Sequence, residues 1–291
     1  MLKLILKPLS LLSLRQLHAL GMIFGNLLFV MARSSRRQIK NNIQQSGLYP
    51  NDNTLMASVK RNMQETGKSL LESFALWQKP QYELLTWVTD CHDWHLVEKA
   101  QQQSRGIIFL TPHQGCFEIT SIYYGSHYPI TVLYRPPKLR WLSSFIEVGR
   151  KQPGVNLAPA NRKGVRLLLE ALQRGEAIGI LPDQTPTKAE GEWADFFGKP
   201  AYTMTLVSKL TRKSNAQIIM AFGERLPDSQ GFKIHLRALD SAQVSTPALL
   251  NQAIEQQIRE CPSQYYWAYD RYKASRKALK KLGIYSKKAG D

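Results

Sequence analysis

The chain has 291 residues, 43% of them hydrophobic and 10% aromatic, which suits one large domain, or a domain with a small appendage, and argues against disorder. Its 39 Lys and Arg against 22 Asp and Glu leave a formal charge of +17, which points to an anionic partner: nucleic acid, a membrane surface, an acidic protein or a phosphorylated substrate. Cys91, Cys116 and Cys261 stand far apart with no CxxC or Cys/His spacing, so neither a disulfide framework nor a zinc site is indicated and a reducing compartment is expected.

Residues 9–31, LSLLSLRQLHALGMIFGNLLFVM, are mostly apolar and run into the basic cluster ARSSRRQIK. No small-residue cleavage site follows, which argues against a removed secretory signal. The segment is long enough to span a bilayer. Arg15, His18 and Asn26, however, form a polar stripe on a helical wheel, and a lone spanning helix disfavours an arginine near its middle. A helix lying in the membrane interface, or packed against the protein body, tolerates that stripe. Lys3, Lys7, Arg33, Arg36, Arg37 and Lys40 flank it and attract anionic headgroups. Residues 1–35 are therefore expected to be a membrane-anchoring helix with a basic flank; the alternative is an ordinary buried helix.

From 36 to 79 apolar residues recur at helical steps (Leu55, Val59, Met63, then Leu70, Phe74, Trp77), with turn signals at Gly47, Pro50 and Asp52. From about 95 the pattern alternates between helices and short apolar runs. A helix at 95–103 precedes GIIFLT, and one at 116–125 precedes PITVLYRP. A helix at 161–173 ends at Gly175, a C′ glycine, before AIGILPD. AQIIMAF and GFKIHLRAL read as two more strands. Thr246 and Pro247 suit the N-cap and first turn of a last helix that stops at Pro262. This alternation predicts an α/β fold with a mostly parallel central sheet covered by helices on both sides, one domain over 36–275, and a basic, mobile tail at 276–291.

Ligands of such sheets bind beyond the carboxyl ends of the strands, and His113, Asp183 and Arg135 all follow strand ends. In HQGCFE, His113 and Glu118 are five residues apart and cannot share a face of one continuous helix. A turn before a helix starting near Gly115 or Cys116 would bring Glu118 back against the imidazole. The carboxylate would fix the tautomer, and the free nitrogen would deprotonate a hydroxyl. Amides near Gly115 would face the oxyanion of an attacked carbonyl. Base, orienting acid and oxyanion site suit acyl transfer from a thioester to an alcohol. The bland alternative is a hydrogen-bonded strand-end histidine beside a solvated glutamate. A nucleophilic Cys116 is disfavoured against a small packed side chain.

The order of HQGCFE, YRPP (134–137), VGRKQPG, RKGVRLLLEALQRGE, ILPDQ (180–184), GEWADFFGKPAYT (191–203) and CPSQYYWAYDRYK (261–273), after an apolar N-terminus, resembles the bacterial lipid A biosynthesis (late) acyltransferases over nearly the whole chain. These are relatives of the HxxxxD glycerolipid acyltransferases. Thr-Pro precedes the histidine here, where an Asn-His pair is often seen. The resemblance implies acyl carrier protein as donor and, as acceptor, a hydroxyl on an acyl chain of a phosphorylated, Kdo-bearing lipid A precursor. The implied setting is the cytoplasmic face of the bacterial inner membrane, with no cofactor and no metal. His113 would be the general base and Glu118 its partner. Arg150 would bind phosphate or polarise the acyl carbonyl, and Asp183 would position the acceptor or a basic residue.

The charge agrees with both partners, since the acceptor carries phosphates and the carrier is acidic. Arg135, Lys138, Arg140, Arg150, Lys151, Arg162 and Lys163 come from loops near the sheet edge. Of these Arg135 and Arg150 are the better phosphate readers. Trp193, Phe196, Phe197 and Tyr202, on an expected loop, offer one wall of an acyl groove or plain core. In the C-terminal motif Trp267 and Tyr269 are expected to pack, and Arg271 and Lys273 to reach lipid or carrier. A glycerolipid acyltransferase is the nearest rival, but it would usually show a FPEGTR-like strand end where this chain has ILPDQT. A basic nucleic-acid-binding protein is the rival of another class, and no zinc spacing, RNP aromatic pair or heptad-linked basic region supports it.

Overall fold

The computed structural model describes residues 2–137, 140–186 and 190–273. In chain order these form α1 (Leu2–Leu11), α2 (Leu14–Met31), α3 (Arg33–Ser46), α4 (Asp52–Leu76), α5 (Gln81–Leu85), β1 (Val88–His92), α6 (His95–Gln102), β2 (Ile107–Leu110), α7 (Phe117–Gly125), β3 (Ile130–Tyr134) and α8 (Arg140–Arg150). There follow β4 (Val155–Pro159), α9 (Arg162–Gln173), β5 (Ala177–Ile180), β6 (Gly191–Phe196), β7 (Lys199–Met204), α10 (Leu206–Lys213), β8 (Gln217–Arg225), β9 (Phe232–Leu239) and α11 (Pro247–Glu260). The expected tail at 276–291 lies outside the described residues.

The main sheet has the order β1-β9-β8-β2-β5-β3-β4. Its five strands β8, β2, β5, β3 and β4 are mutually parallel, and β9 and β1 run the other way. Every residue of β2 (IIFL) and β5 (AIGI) is buried, as a strand covered on both faces requires. One core cluster packs α9, α10, α11 and the β6–β7 hairpin on one face, and another packs α6 and α7 on the other. The α/β expectation is met. Individual elements differ from it: β1, β4, α8 and α10 are additional, and WADFFGKPAY is not a loop. It forms the antiparallel hairpin β6–β7, in which Phe196 pairs with Lys199 across Phe197 and Gly198. Both turn residues have positive φ, 49° and 71°, the twist-matched geometry of a two-residue hairpin turn.

The apolar N-terminal stretch is not one helix. It breaks before Ser13, whose side chain accepts the Gln16 amide while Gln16 caps Ser13 in return. The helix after the break, α2, is long and apolar enough to cross a membrane. Two members of its polar stripe turn inward: His18 is buried, and Asn26 accepts a hydrogen bond from Gln64 of α4 at 2.8 Å, while Arg15 is exposed. Gly21 and Gly25 meet Gly67 of α4, and a Cβ at any of the three would strike the backbone of the facing helix. The sequence GMIFG thus serves as a small-residue seam that brings the two helices into close contact. Leu20, Ile23, Leu27, Val30 and Met31 remain exposed on the outer side, Ile23 by 63% and Met31 by 70%.

A buried ionic cluster fastens this seam. Arg225, at the end of β8, donates from Nε and Nη2 to Glu72 at 2.5 and 2.6 Å and from Nη1 to Glu65 at 2.7 Å. His18 Nε2 lies 2.5 Å from Glu72, and its Nδ1 lies 3.0 Å from the Ser229 hydroxyl. Burial alone would raise the Glu72 pKa, but Arg225 outweighs it and draws the carboxyl down to about 2.

Candidate active site

Strand register brings the site together. Leu110 of β2 pairs with Ile180 of β5, so the residues three further along each chain, His113 and Asp183, leave the sheet side by side. His113 Nδ1 is 2.9 Å from Asp183 Oδ1, and the His113 amide donates to Oδ2 at 3.1 Å. Gln184 Nε2 lies 3.2 Å from His113 Nε2. These contacts are satisfied together when Nδ1 carries the proton, donating to Asp183, and Nε2 presents its lone pair to the Gln184 amide. Asp183 is only 2% exposed. Burial works to raise its pKa, but the adjoining His113 ring and the hydrogen bonds from His113 outweigh it and hold the carboxyl below the usual range.

Glu118 does not hold His113, contrary to the sequence reading. It sits in the first turn of α7, aimed at the end of α4 and at α8. Its Oε1 accepts from Arg150 Nε and Nη2 at 3.1 and 2.6 Å, and its Oε2 accepts from Trp77 Nε1 at 2.6 Å. Both oxygens are therefore engaged away from the imidazole. Arg150 also lies over the rings of Trp77 and Tyr134, 5.7 and 5.5 Å from their centroids. Burial works against its charge, yet Glu118 outweighs this and keeps Arg150 firmly protonated.

Gly115 has a structural role. Its φ is +59°, and a Cβ would strike the Gly223 carbonyl, so the sharp turn after His113 requires glycine. Its amide donates to Gln264 O at 2.9 Å and that of Cys116 to Gly223 O at 2.8 Å. Neither amide is open to an oxyanion, which corrects the expected use of Gly115. Cys116 is buried, and burial followed by the Glu72 charge pushes its thiol well above the ordinary range, so no nucleophilic thiolate forms there.

A cavity of about 690 Å³ opens at this edge of the sheet. His113, Glu118, Arg135, Arg150 and Gln184 all line it, with Arg162 and Lys209. Arg135, Arg162 and Lys209 are exposed and give the opening a positive rim. Lys209 comes from α10, an element missing from the sequence reading. Lys151 pairs instead with Glu147 at 3.0 Å, and Lys163 does not line the cavity. Lys138 and the side chain of Arg140 lie outside the described residues.

The aromatic wall expected from Trp193, Phe196 and Phe197 is not part of this cavity. Phe196 and Phe197 are buried, 1% and 7% exposed, in the core beneath the hairpin, and Trp193 packs edge-on against Tyr202. Arg271, expected to reach lipid or carrier, is buried too, donating to Tyr202 O and Thr203 Oγ1 at 3.0 and 2.6 Å. Trp267 packs as expected, and Lys273 is exposed.

The sequence carried a signal for the His113–Asp183 pair. LTPHQ and ILPDQ each place a proline, then the functional residue, then a glutamine after a buried strand. If those two strands are neighbours in equal register, the pair follows.

A sequence model of the family described as bacterial lipid A biosynthesis acyltransferase matches residues 3–274. The chain is 25% identical over 267 residues to a lipid A biosynthesis lauroyltransferase of Escherichia coli (strain K12), covering 88% of this chain and 85% of the relative. A lipid A biosynthesis palmitoleoyltransferase of the same organism is 26% identical over 220 residues, 74% of this chain and 71% of the relative. A lipid A biosynthesis acyltransferase of Haemophilus influenzae is 24% identical over 225 residues, 74% and 70% of the two chains.

Proposed function

The chain belongs to the bacterial lipid A biosynthesis acyltransferases, and from that premise we propose that it moves a fatty acyl group from an acyl carrier protein thioester to a hydroxyl on an acyl chain of a phosphorylated, Kdo-bearing lipid A precursor. His113 is the general base and Asp183 its orienting acid. The observation that carries this reading is the His113 imidazole, 2.9 Å from a buried carboxylate and facing a cavity of about 690 Å³.

The acceptor hydroxyl takes the place of the Gln184 amide at Nε2 and gives up its proton there as its oxygen attacks the thioester carbonyl. Asp183 stabilises the imidazolium that forms. Collapse of the tetrahedral intermediate breaks the carbon–sulfur bond, and the departing thiolate takes the proton from Nε2. The products are an ester and the free carrier thiol. Arg150, kept charged and positioned by Glu118 and Trp77, supplies positive potential along the same cavity. Glu118 is on this reading a positioning residue for Arg150.

The rim of Arg135, Arg162 and Lys209 suits a phosphorylated acceptor and an acidic carrier. The outward apolar side of α2, next to the exposed Arg33 and Arg37 of α3, suits docking on an anionic membrane surface, the cytoplasmic face of the inner membrane. Purified protein given acyl carrier protein thioester and a phosphorylated lipid A precursor should add one acyl group to the precursor, read by mass spectrometry. Acylation of glycerol phosphate or lysophosphatidate, with the lipid A precursor left untouched, would replace this reading by the glycerolipid one.

A further inference from the structure

The cavity wraps over the edge of the sheet and has a lobe on each face. On the far side from α7, Leu133, Val165 and Met204 belong to or pack against the α9–α11 core, and the cations Arg135, Arg162 and Lys209 gather with them. On the α7 side the lining belongs to the other core cluster: Phe109, Gly179 and Val132 form the floor and Ile122 and Tyr124 the roof. Two polar groups on this side are partnered, while the buried Tyr134 hydroxyl, at the reacting edge, has no hydrogen-bond partner among the described residues. The Tyr124 hydroxyl accepts from Gln101 at 2.9 Å, and Ser121 donates to Glu118 O at 3.0 Å. Among the described residues its one arginine, Arg150, is paired with Glu118 at 2.6 Å and lies over Tyr134, at the reacting edge of the lobe and not along its length. The exposed cations and the hydrocarbon lining are thus on opposite faces of the sheet.

Phe109, Gly179 and Val132 stand abreast on β2, β5 and β3 in register, so the missing side chain at Gly179 leaves a trough between its neighbours. No backbone contact requires this glycine. Its φ is not positive, and an added Cβ would meet only side-chain atoms, Val132 Cγ2 at 3.2 Å being the nearest. Glycine in a strand interior without a backbone reason marks a place where something approaches closely. From Tyr134 at the reacting edge to Ile130, both in the lining, the lobe descends four residues of β3, roughly 13 Å at the rise of a strand.

The lobe ends at Trp94. Because β1 runs opposite to β2, its exit places Trp94 at the sheet edge away from His113. Trp94 lines the cavity and is wedged against Tyr123, Tyr124 and His127, with ring centroids 5.4, 6.1 and 4.8 Å away. It is an end wall held by its own neighbours.

We propose that the lobe under α7 holds the transferred acyl chain, with Gly179 keeping its trough open and Trp94 setting the length it accepts. This rests on the acyl-transfer reading above and deepens it: the hydrocarbon enters under α7, and the phosphorylated acceptor takes the cationic lobe on the other face.

The test is a competition. Full-length enzyme receives a mixture of acyl carrier protein thioesters whose saturated chains differ by two carbons, and mass spectrometry reads the ratio of product lengths. The ratio does not depend on how much of each variant is folded. One methylene in a hydrophobic pocket discriminates by roughly 10- to 200-fold. Gly179→Ala should therefore lower use of the longest accepted chains relative to the shortest by at least about 10-fold, and Trp94→Ala should raise use of chains longer than the wild-type optimum by a similar factor. Trp94 is only partly buried, so Trp94→Ala and Trp94→Phe yield a ratio even where Gly179→Ala expresses poorly. A wild-type length ratio in the Trp94 variants overturns the proposal and leaves the acyltransferase reading standing. A wild-type enzyme inert toward every acyl donor removes that reading first.

Discussion

His113 and His18 each lie against a buried carboxylate, 2.9 Å from Asp183 and 2.5 Å from Glu72. Beyond that contact they diverge. The remaining nitrogen of His113 meets a glutamine amide at the wall of a large cavity, where another hydroxyl can take its place. The remaining nitrogen of His18 meets Ser229, and Arg225 covers the carboxylate behind it. The first pair lies beyond the carboxyl ends of parallel strands. The second lies in the seam between α2 and α4. A histidine held by an acid is therefore a base in one place and a fastener in the other, and access decides which.

The comparison is sharpened first at Asp183. Asp183→Asn leaves the shape of the site but removes the acceptor that fixes the tautomer. Turnover should fall by roughly two to four decades with little change in melting temperature, measured as acyl transfer and thermal unfolding on the same preparation. Retained turnover would move the orienting role elsewhere.

The fastener responds to pH instead. The Glu72 pKa in the folded protein, about 2, lies below its ordinary value of 4.5. Its contribution to stability is thus fully present above about pH 4.5 and is lost as pH falls toward 2. Its size is on the order of 3 kcal/mol. Unfolding curves across that range should show the loss in wild type, and Glu72→Gln should be destabilised at neutral pH with a shallower acid slope. An acid slope identical in both would contradict the assignment.

Glu118→Gln is expected to have a smaller effect on chemistry than Asp183→Asn. It weakens a charge-assisted hold on Arg150 and leaves the His113–Asp183 pair intact, so turnover should drop by about one to two decades. A loss as deep as that of Asp183→Asn would restore Glu118 to the role the sequence suggested.

Much of the fold was legible because buried strands and capped helices have local signatures. IIFL and AIGI read as strands from their apolar runs, and Thr246-Pro247 announced α11 with the cap that is observed. The motif order also pointed to the family. Strand order was not legible, and without it the nearest acid in sequence, Glu118, stood in for the nearest in space, Asp183. The hairpin aromatics Phe196 and Phe197 were similarly ambiguous, because a groove wall and a core have the same composition. GMIFG held a signal that treating 9–31 as one apolar segment passed over, since two small residues a helical turn apart mark a close helix contact. The partner glycine, Gly67, lies 42 positions beyond Gly25, and no local pattern connects them.

The most direct measurement compares His113→Ala with His18→Ala in single-turnover acyl transfer from carrier thioester to lipid A precursor, normalised to folded protein. Expected is near-complete loss of transfer in His113→Ala at an unchanged melting temperature, against wild-type transfer per folded molecule and a lowered melting temperature in His18→Ala. Wild-type transfer by folded His113→Ala protein would contradict the assignment of the base.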